Sequence, residues 1–376
     1  MQERSNYENS GVNIKLGEDA SKVLYEAAKL TWKNRKGKLG EVVEIFSDFS
    51  GLRAVNVGGL PDDTYMNIGF DGVGTKVEIA ERTKRHETVA FDLFAMVCDD
   101  AVVRGAEPVL VGSILDVKSL GNEDESYLNL VKQLALGYIN AAEEANVSIV
   151  NGEIAELGSR VQGYGPFNYN WGASVVWFAR KDRMITGNEI KPNDKLVGLK
   201  ENGFRSNGLS LVRKIMERKH GDEWHKVKFG VEDLGDLVLC PSRIYSKAVV
   251  DMFGGFDGEQ KAKIHGIAHI TGGGIPGKLS RVIKPNGLGA DIYDPFDPCE
   301  LMIHCQKHGD VTDEEAYETW NMGQGMIIIT PEPKEVIKVA GTHNIESKVI
   351  GKVNSRGEIR IESKGLNLGR SGELIY

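Results

Sequence analysis

The sequence predicts a mixed α/β protein, of the α+β kind, built from two domains. Strand-like runs such as residues 65–70 and 109–117 alternate with longer helical patterns such as residues 88–104, and this alternation is typical of α/β and α+β domains. The chain has 376 residues, which at about 100–200 residues per domain favours two domains over one. It contains 45 glycines and 11 prolines, a balance that indicates structured turns near a ligand rather than a disordered linker.

A polar segment, residues 181–195, separates two series of predicted elements. Because it contains Gly187, Pro192 and several Asn/Asp positions, we expect the boundary between domains 1–182 and 183–376 here. Before it, the periodicity predicts helices at 18–36, 88–104 and 125–146 and strands at 65–70, 109–117, 147–150 and 168–180. After it, the sequence predicts helices at 206–220, 241–253 and 275–284 and strands at 196–199, 264–270, 288–293, 325–330, 346–353 and 358–362.

Composition argues against several classes of protein. The net charge is 46 − 54 = −8, and without a Lys/Arg block this argues against nucleic-acid binding. No apolar run approaches the roughly 18 residues that cross a bilayer, and the polar start has no signal-peptide pattern, so we expect no membrane association. The four cysteines form no CxxC pair, which argues against a disulfide framework or a cysteine-based zinc site and favours the cytoplasm.

The segment Asp71-Gly72-Val73-Gly74-Thr75-Lys76 follows a predicted strand. Two glycines let the backbone approach a ligand and turn its N–H groups toward an anion. Lys76 could neutralise a phosphate and Asp71 could hold a metal ion. The segment matches neither the GxGxxG pattern nor the P-loop, so a plain tight turn is the alternative interpretation.

Three carboxylates lie on the apolar helix predicted at 88–104. Asp92 and Asp99 are seven residues apart and share a face, and Asp100 lies beside it. Buried carboxylates are costly unless they are paired or bind a metal ion, and all-oxygen ligands favour Mg²⁺. Alternatively, Asp92 interacts with the helix dipole and Asp100 pairs with Arg104 four residues later.

Two further segments join strands to loops or helices. Residues 151–156, which include Glu153, follow a short apolar strand, and strand ends commonly carry functional side chains in α/β proteins; a solvated loop is the alternative. Residues 202–208 open a helix, where Arg205 could grip a phosphate. The alternative there is that Ser206 is only an N-cap.

The segment 265–274 places Gly272–Gly274 between a predicted strand and a helix. Three glycines at a helix start can form a cradle for an anion. His265 and His269 lie four residues apart on the strand, although a satisfied core histidine is the alternative for at least one of them. Together, several glycine-rich anion sites and clustered acids indicate an enzyme that uses a magnesium-bound nucleotide.

In order and spacing, these segments resemble the phosphoribosylformylglycinamidine cyclo-ligase (aminoimidazole ribonucleotide synthetase) family. The resemblance implies two mixed α/β domains whose N-terminal sheets pair into a barrel in a homodimer. It also implies a ligase of purine biosynthesis that uses ATP and Mg²⁺ to close the ring of formylglycinamidine ribonucleotide. In that reaction the amide oxygen is phosphorylated, and ADP and phosphate leave. The matching segments are 7–17, 71–76, 92–108, 151–158, 206–215, 265–274 and 321–326.

The resemblance also implies roles for individual residues of this chain. The catalytic residues implied are Asp71, Lys76, Asp100 and Glu153, of which Asp71, Asp100 and Glu153 would bind the metal ion. The nucleotide-binding residues implied are Gly72, Gly74, Thr75, Lys76, Asp92 and Asp99. The substrate-binding residues implied are Arg205, Ser206, Asn207, His269, Thr271, Gly272, Gly273 and Gly274.

Three positions depart from the family pattern. Arg205 stands where the family usually has histidine, Asp99 stands where it has asparagine, and residues 47–52 contain fewer glycines. Two alternatives follow from these departures. The chain could be a related ATP-dependent enzyme with a different acceptor, or an ATP-binding paralogue without activity.

Overall fold

The computed structural model describes residues 13–45, 53–122, 124–366 and 372–376. The chain separates into two compact units. Of the described residues, the first unit contains those up to Leu60, then Asn67–Cys98 and Pro108–Trp177, and the second contains those of Pro61–Met66, Asp99–Glu107 and Phe178–Tyr376. The domain boundary expected between residues 182 and 183 stays a prediction. None of the described helices is both long and apolar enough to cross a bilayer.

The first half of the chain forms a four-stranded sheet with accompanying helices. The helices are α1 Ile14–Thr31, α2 Lys76–Thr83, α3 Val89–Val102 and α4 Leu128–Ala145. The strands are β1 Val42–Glu44, β2 Arg53–Val55, β3 Thr64–Gly72, β4 Glu107–Val117, β5 Ser148–Glu156 and β6 Tyr169–Arg180. The four-stranded sheet has the order β3-β6-β4-β5 with β4 and β5 parallel, and β1 and β2 form a separate pair. Helix α1 begins after Asn13, whose side chain accepts the backbone N–H of Leu16 at 3.0 Å and so caps the helix.

One irregularity fixes how β5 lies beside β4. Val111 pairs with Ile149, but the next residue of β4, Gly112, pairs with Asn151, so Val150 is an extra residue in β5. Such a β-bulge changes which face the following side chains occupy. After it, Glu153 lies opposite Ile114 on the exposed face of the sheet.

That exposed face carries large apolar side chains. Ile68 and Phe70 alternate on β3 and are 45% and 73% exposed, and Ile114 on β4 is 58% exposed. The neighbouring positions of β4, Val111 and Leu115, are buried. The sheet therefore has one covered and one uncovered apolar face, and an uncovered apolar patch of this kind is characteristic of an interaction surface.

The second half of the chain forms a seven-stranded mixed sheet with the order β10-β12-β7-β13-β11-β14-β15. Strand β12 is buried throughout, and Ile328 packs with Tyr245, Met252 and Val336 in the core of this unit. The strands are β7 Lys195–Lys200, β8 Lys228–Phe229, β9 Glu232–Asp233, β10 Gly266–His269, β11 Gly289–Ile292, β12 Gln324–Thr330, β13 Ser347–Asn354, β14 Ile359–Glu362 and β15 Glu373–Ile375. The helices are α5 Leu209–His220, α6 Leu234–Val238, α7 Ser246–Phe253, α8 Gly274–Ile283, α9 Glu300–Gly309, α10 Asp313–Thr319 and α11 Pro333–Thr342.

The mixed α/β prediction is confirmed, and the differences concern individual elements. The strand predicted at 147–150 continues to Glu156, because backbone pairing with β4 accommodates side chains of either polarity. Helix α2 was not predicted. The predicted helix 241–253 begins at Ser246. The departures at residues 47–52 lie outside the described residues.

Candidate functional site

The first candidate site is a cavity in the first unit. It has a volume of about 660 Å³, and Asp71, Gly72, Asn151 and Glu153 contribute to its lining. Asp71 lies within β3 rather than after it, and its Oδ1 accepts the backbone N–H of Gly72 at 2.7 Å. The structure therefore brings Asp71 and Glu153, two of the predicted metal ligands, to the same cavity.

The turn between β3 and α2 leads to a buried ion pair. Gly74 has φ +67°, a left-handed conformation that favours glycine, and Thr75 precedes the first residue of α2, Lys76. The Lys76 Nζ lies 2.7 Å from Asp92 Oδ1, and both side chains are fully buried. In this arrangement the ammonium neutralises a carboxylate of α3. The pair accounts for an acid within an apolar helix, because a buried charge is tolerated when it is paired.

The second candidate site is a polar cluster in the second unit, and Asp99 lies at its base. Asp99 Oδ1 accepts the backbone N–H groups of Tyr245 and Ser246, each at 2.8 Å, at the start of α7. Its Oδ2 accepts from Arg205 Nη2 at 3.2 Å. Burial raises the pKa of Asp99 to about 7, although Arg205 and these N–H groups oppose that rise. Since these partners are all donors, the site suits the ionised carboxylate.

Arg205 connects Asp99 to three other groups. Its Nη1 donates to Glu201 Oε2 at 2.7 Å and to the carbonyl of Arg243 at 3.1 Å. Its Nη2 also lies 2.8 Å from His269 Nε2. The side chain is 1% exposed, and the backbone has φ +61°, a conformation that costs a non-glycine residue about 1–3 kcal/mol. Extensive hydrogen bonding therefore holds this arginine in place.

His269 links Arg205 to the Asp100 carboxylate. Because Arg205 can only donate, His269 Nε2 must accept, and the ring proton is assigned to Nδ1. Nδ1 then donates to Asp100 Oδ1 at 2.6 Å. Burial lowers the pKa of His269 to about 4, and the charges of Arg205 and Lys278 contribute to this shift, so the ring is neutral.

Asp100 is the exposed end of this series, with 56% of its side chain accessible. Burial alone would raise its pKa, but the hydrogen bond from His269 and the charge of Lys278 outweigh this effect and lower it. The alternative interpretation, in which Asp100 pairs with Arg104, is wrong. The Nη1 of Arg104 instead donates to the carbonyl of Thr186 at 3.2 Å. An ionised, accessible carboxylate can bind a cation or accept a proton.

The glycine segment after β10 begins helix α8. Gly273 and Gly274 have φ +92° and +56°, and a Cβ at Gly274 would lie 1.8 Å from the carbonyl oxygen of Tyr317. A Cβ at Gly272 would lie 3.4 Å from Asn207 Oδ1, so Asn207 is next to this loop. The first N–H groups of a helix of ten residues point out of its end and favour an anion.

Sequence reasoning missed several groups that hold these residues. Glu201 directly follows β7 and precedes Arg205 by four residues. Their opposite charges at this spacing were the one signal in the sequence that the two side chains could pair. Tyr245 and Lys278 gave no such signal. His265 is a core histidine whose Nδ1 lies 2.7 Å from Asp194 Oδ2, while its Nε2 makes no hydrogen bond within the described residues. Among the residues that the structure describes, no group of three or more His, Cys, Asp or Glu side chains is arranged to hold a metal ion, and the three-carboxylate magnesium set stays a prediction.

Two models of known families match the two halves of the chain separately. The family described as "AIR synthase related protein, N-terminal domain" matches residues 53–174, and its C-terminal counterpart matches residues 191–364. The chain is 33% identical to a phosphoribosylformylglycinamidine cyclo-ligase of Thermococcus kodakarensis, over 96% of this chain and 99% of the relative. It is 34% identical to the enzyme of the same name from Methanosarcina barkeri, over 95% and 96% of the two chains.

A solved structure shows the same fold at greater distance. The hydrogenase maturation protein HypE in complex with ATP superposes with a TM-score of 0.54 at 14% identity, covering 82% of this chain and 84% of that one. This likeness concerns the fold alone, whereas the relatives above agree in sequence along nearly their whole length. The chain belongs to the phosphoribosylformylglycinamidine cyclo-ligase family.

Proposed function

We propose that this protein catalyses the ATP-dependent ring closure of formylglycinamidine ribonucleotide to aminoimidazole ribonucleotide, with release of ADP and phosphate. The observation that carries the proposal is the 33% identity to a cyclo-ligase over 96% of this chain and 99% of the relative. The reaction needs the nucleotide and the substrate amide to be held in line, and the charge of the transferred phosphoryl group to be stabilised.

The cavity of the first unit is the proposed place for the nucleotide and Mg²⁺. Asp71 and Glu153 are both on its wall and offer the oxygen ligands that Mg²⁺ prefers, so the donor set fits this ion. When bound, Mg²⁺ would neutralise charge on the phosphate oxygens. Lys76 supports the same loop by joining the start of α2 to Asp92 of α3.

The glycine segment of the second unit is the proposed place for the substrate phosphate. Gly272–Gly274 and the start of α8 present backbone N–H groups, and Asn207 lies beside them. Thr271 and Ser206 add hydroxyl groups next to this loop and to Asn207 in sequence. Such a site would hold the ribonucleotide by its phosphate and leave the reacting amide and nitrogen of the substrate free of these contacts.

The exposed apolar face of the first sheet is the proposed dimer surface. Ile68, Phe70 and Ile114 form an apolar patch on it, and a second copy of the chain would cover the patch with its own. Because Phe70 and Ile114 also line the cavity proposed for the nucleotide, the second copy would border that cavity. We also propose that the enzyme acts in the cytoplasm, because its cysteines are present as free thiols and a reducing compartment keeps them so.

The test is ADP release from purified protein with Mg-ATP, in the presence and absence of formylglycinamidine ribonucleotide, with the product identified by mass. We expect substrate-dependent ADP and a nucleotide product that has lost one water. Asp71→Asn should abolish turnover, whereas Asp124→Asn, which changes an exposed carboxylate on a turn, should not. ADP release that is independent of this substrate, or ATP binding without turnover, would contradict the proposal and favour another acceptor or an inactive paralogue.

A further inference from the structure

The hydrogen bonds of the second unit run without interruption from buried groups to an exposed one. Glu201 and Asp99 bind Arg205, Arg205 donates to His269, and His269 donates to Asp100. We propose that His269 is a positioning residue whose Nδ1–H fixes the orientation of the Asp100 carboxylate, and that Arg205 selects the His269 tautomer that carries this proton. The activity part of this proposal rests on the proposed function, whereas its structural part does not.

The first step is that Arg205 is immobile. Besides its partners Glu201 and Asp99, it donates to the carbonyl of Arg243 and lies 5.4 Å from the ring centre of Tyr245. The guanidinium is planar and permanently charged, so it donates in fixed directions at any pH at which the protein is folded. A fixed donor therefore points at His269 Nε2.

The second step is that His269 can satisfy both neighbours in only one orientation and one tautomer. Its Nε2 must accept from Arg205, which leaves the proton on Nδ1 for Asp100. The ring is 2% exposed. The opposite tautomer would place a donor against the donor of Arg205 and leave Asp100 without one, and an unmade buried hydrogen bond costs about 1–3 kcal/mol.

The third step is that Asp100 is held by one oxygen and left open at the other. His269 occupies Oδ1, and no other group of the described residues binds Oδ2, while 56% of the side chain is exposed. An exposed carboxylate without such a contact would sample several rotamers. Fixing it before the ligand arrives removes part of the ordering cost of binding, which is the role of a group that orients a ligand-binding side chain.

Two substitutions of His269 separate this role from a merely structural one. The amide nitrogen of asparagine occupies the place of Nδ1, and the amide oxygen of glutamine can occupy the place of Nε2. His269→Asn therefore keeps the donor to Asp100, whereas His269→Gln keeps the acceptor for Arg205 and loses that donor. Both variants remove the ring, and asparagine leaves the larger void, so a role in packing alone would make His269→Asn at least as damaging as His269→Gln.

Because the family resemblance implies that Asp100 binds the metal ion, the experiment measures kcat and KM for Mg-ATP, together with Mn²⁺ binding by electron paramagnetic resonance in the absence of substrate. Loss of a group that orients a metal ligand typically lowers affinity or activity by about 10–100-fold. We expect this loss for His269→Gln and a clearly smaller loss for His269→Asn, which keeps the donor to Asp100. Equal effects of the two variants on both measurements, whether large or absent, would overturn the proposal.

A second measurement does not depend on activity. Long-range ¹H–¹⁵N spectra of protein with ring-labelled histidine should show the His269 proton on Nδ1, with His269→Asn used to assign its signals among the 8 histidines. A proton on Nε2 would overturn the proposed arrangement. Absence of cyclo-ligase turnover in the unaltered enzyme, with the Nδ1 proton present, would instead contradict only the proposed function.

Discussion

Replacing Asp92 by asparagine removes the negative partner of a fully buried ammonium. The Lys76 Nζ and Asp92 Oδ1 are 2.7 Å apart, and neither side chain is exposed. At an effective dielectric constant of about 20, their direct attraction is about 6 kcal/mol, and part of it offsets the cost of desolvation. Removing one partner of such a buried pair costs about 3–5 kcal/mol, so we expect Asp92→Asn to destabilise the first unit by that amount.

The assay must report on the first unit, because a chain with two compact units need not unfold in one step. Hydrogen exchange of peptides from α2, measured by mass spectrometry, gives a local free energy of opening. A loss of 3–5 kcal/mol corresponds to exchange that is faster by more than about 100-fold.

Two controls separate burial from charge. The double variant Lys76→Met with Asp92→Leu replaces the pair by apolar groups, which is often nearly neutral, and should exchange within about tenfold of the unaltered protein. Glu143→Gln breaks the exposed pair of Lys33 and Glu143, which also lies in the first unit, and should cost less than about 1 kcal/mol. Exchange in Asp92→Asn that stays within about threefold of the unaltered protein would refute the reasoning.

Three further predictions concern other parts of the molecule. Gly274→Ala should lower the free energy of unfolding of the second unit, measured in urea, by more than about 2 kcal/mol, because its Cβ would lie 1.8 Å from a carbonyl oxygen. Gly277→Ala on the same helix has open space around its Cβ and should be neutral or stabilising. Phe70→Glu should raise the dimer dissociation constant, measured by light scattering, by more than about tenfold. Leu136→Glu, at an exposed position of α4, should leave this constant unchanged. Equal effects of the two variants would exclude the proposed dimer surface. Burial lowers the pKa of His304 to about 4, so as the pH falls the unfolded chain binds a proton at this residue before the folded chain does. The second unit should therefore lose stability between about pH 6.5 and 4, by about 1 kcal/mol because the ring is only partly buried. An unchanged pH slope in His304→Gln would contradict this.

Regular apolar periodicity predicted the larger elements within a few residues. The helix expected at 88–104 is Val89–Val102, and the strand expected at 168–180 is Tyr169–Arg180. The sequence does not predict helix α2, because the helix has only 8 residues and its buried side chains include the charged Lys76 and Glu81. Their burial depends on partners elsewhere in the chain, which local periodicity does not reveal.

The candidate sites show the same limit for individual side chains. The sequence identified Asp92, Asp99 and Arg205 as functional candidates, but it did not show which groups bind them. Asp92 pairs with a lysine 16 residues away and Arg205 with an aspartate 106 residues away. Contacts over such separations follow from the fold, so the roles of these residues could be inferred only from family resemblance.

Because of the β-bulge at Val150, Glu153 also influences the register in which β5 pairs with β4. Without the extra residue, the pairing that begins at Val111 and Ile149 would place Glu153 opposite Leu115, which is 1% exposed. An unpaired carboxylate on that covered face would be strongly disfavoured, and a shift by one residue would move every later side chain of β5 to the other face. The Glu153 carboxylate, proposed to hold a ligand, therefore also destabilises the misregistered pairing of β5 during folding. Replacing it by an apolar residue would remove this energetic penalty on mispairing as well as a functional group.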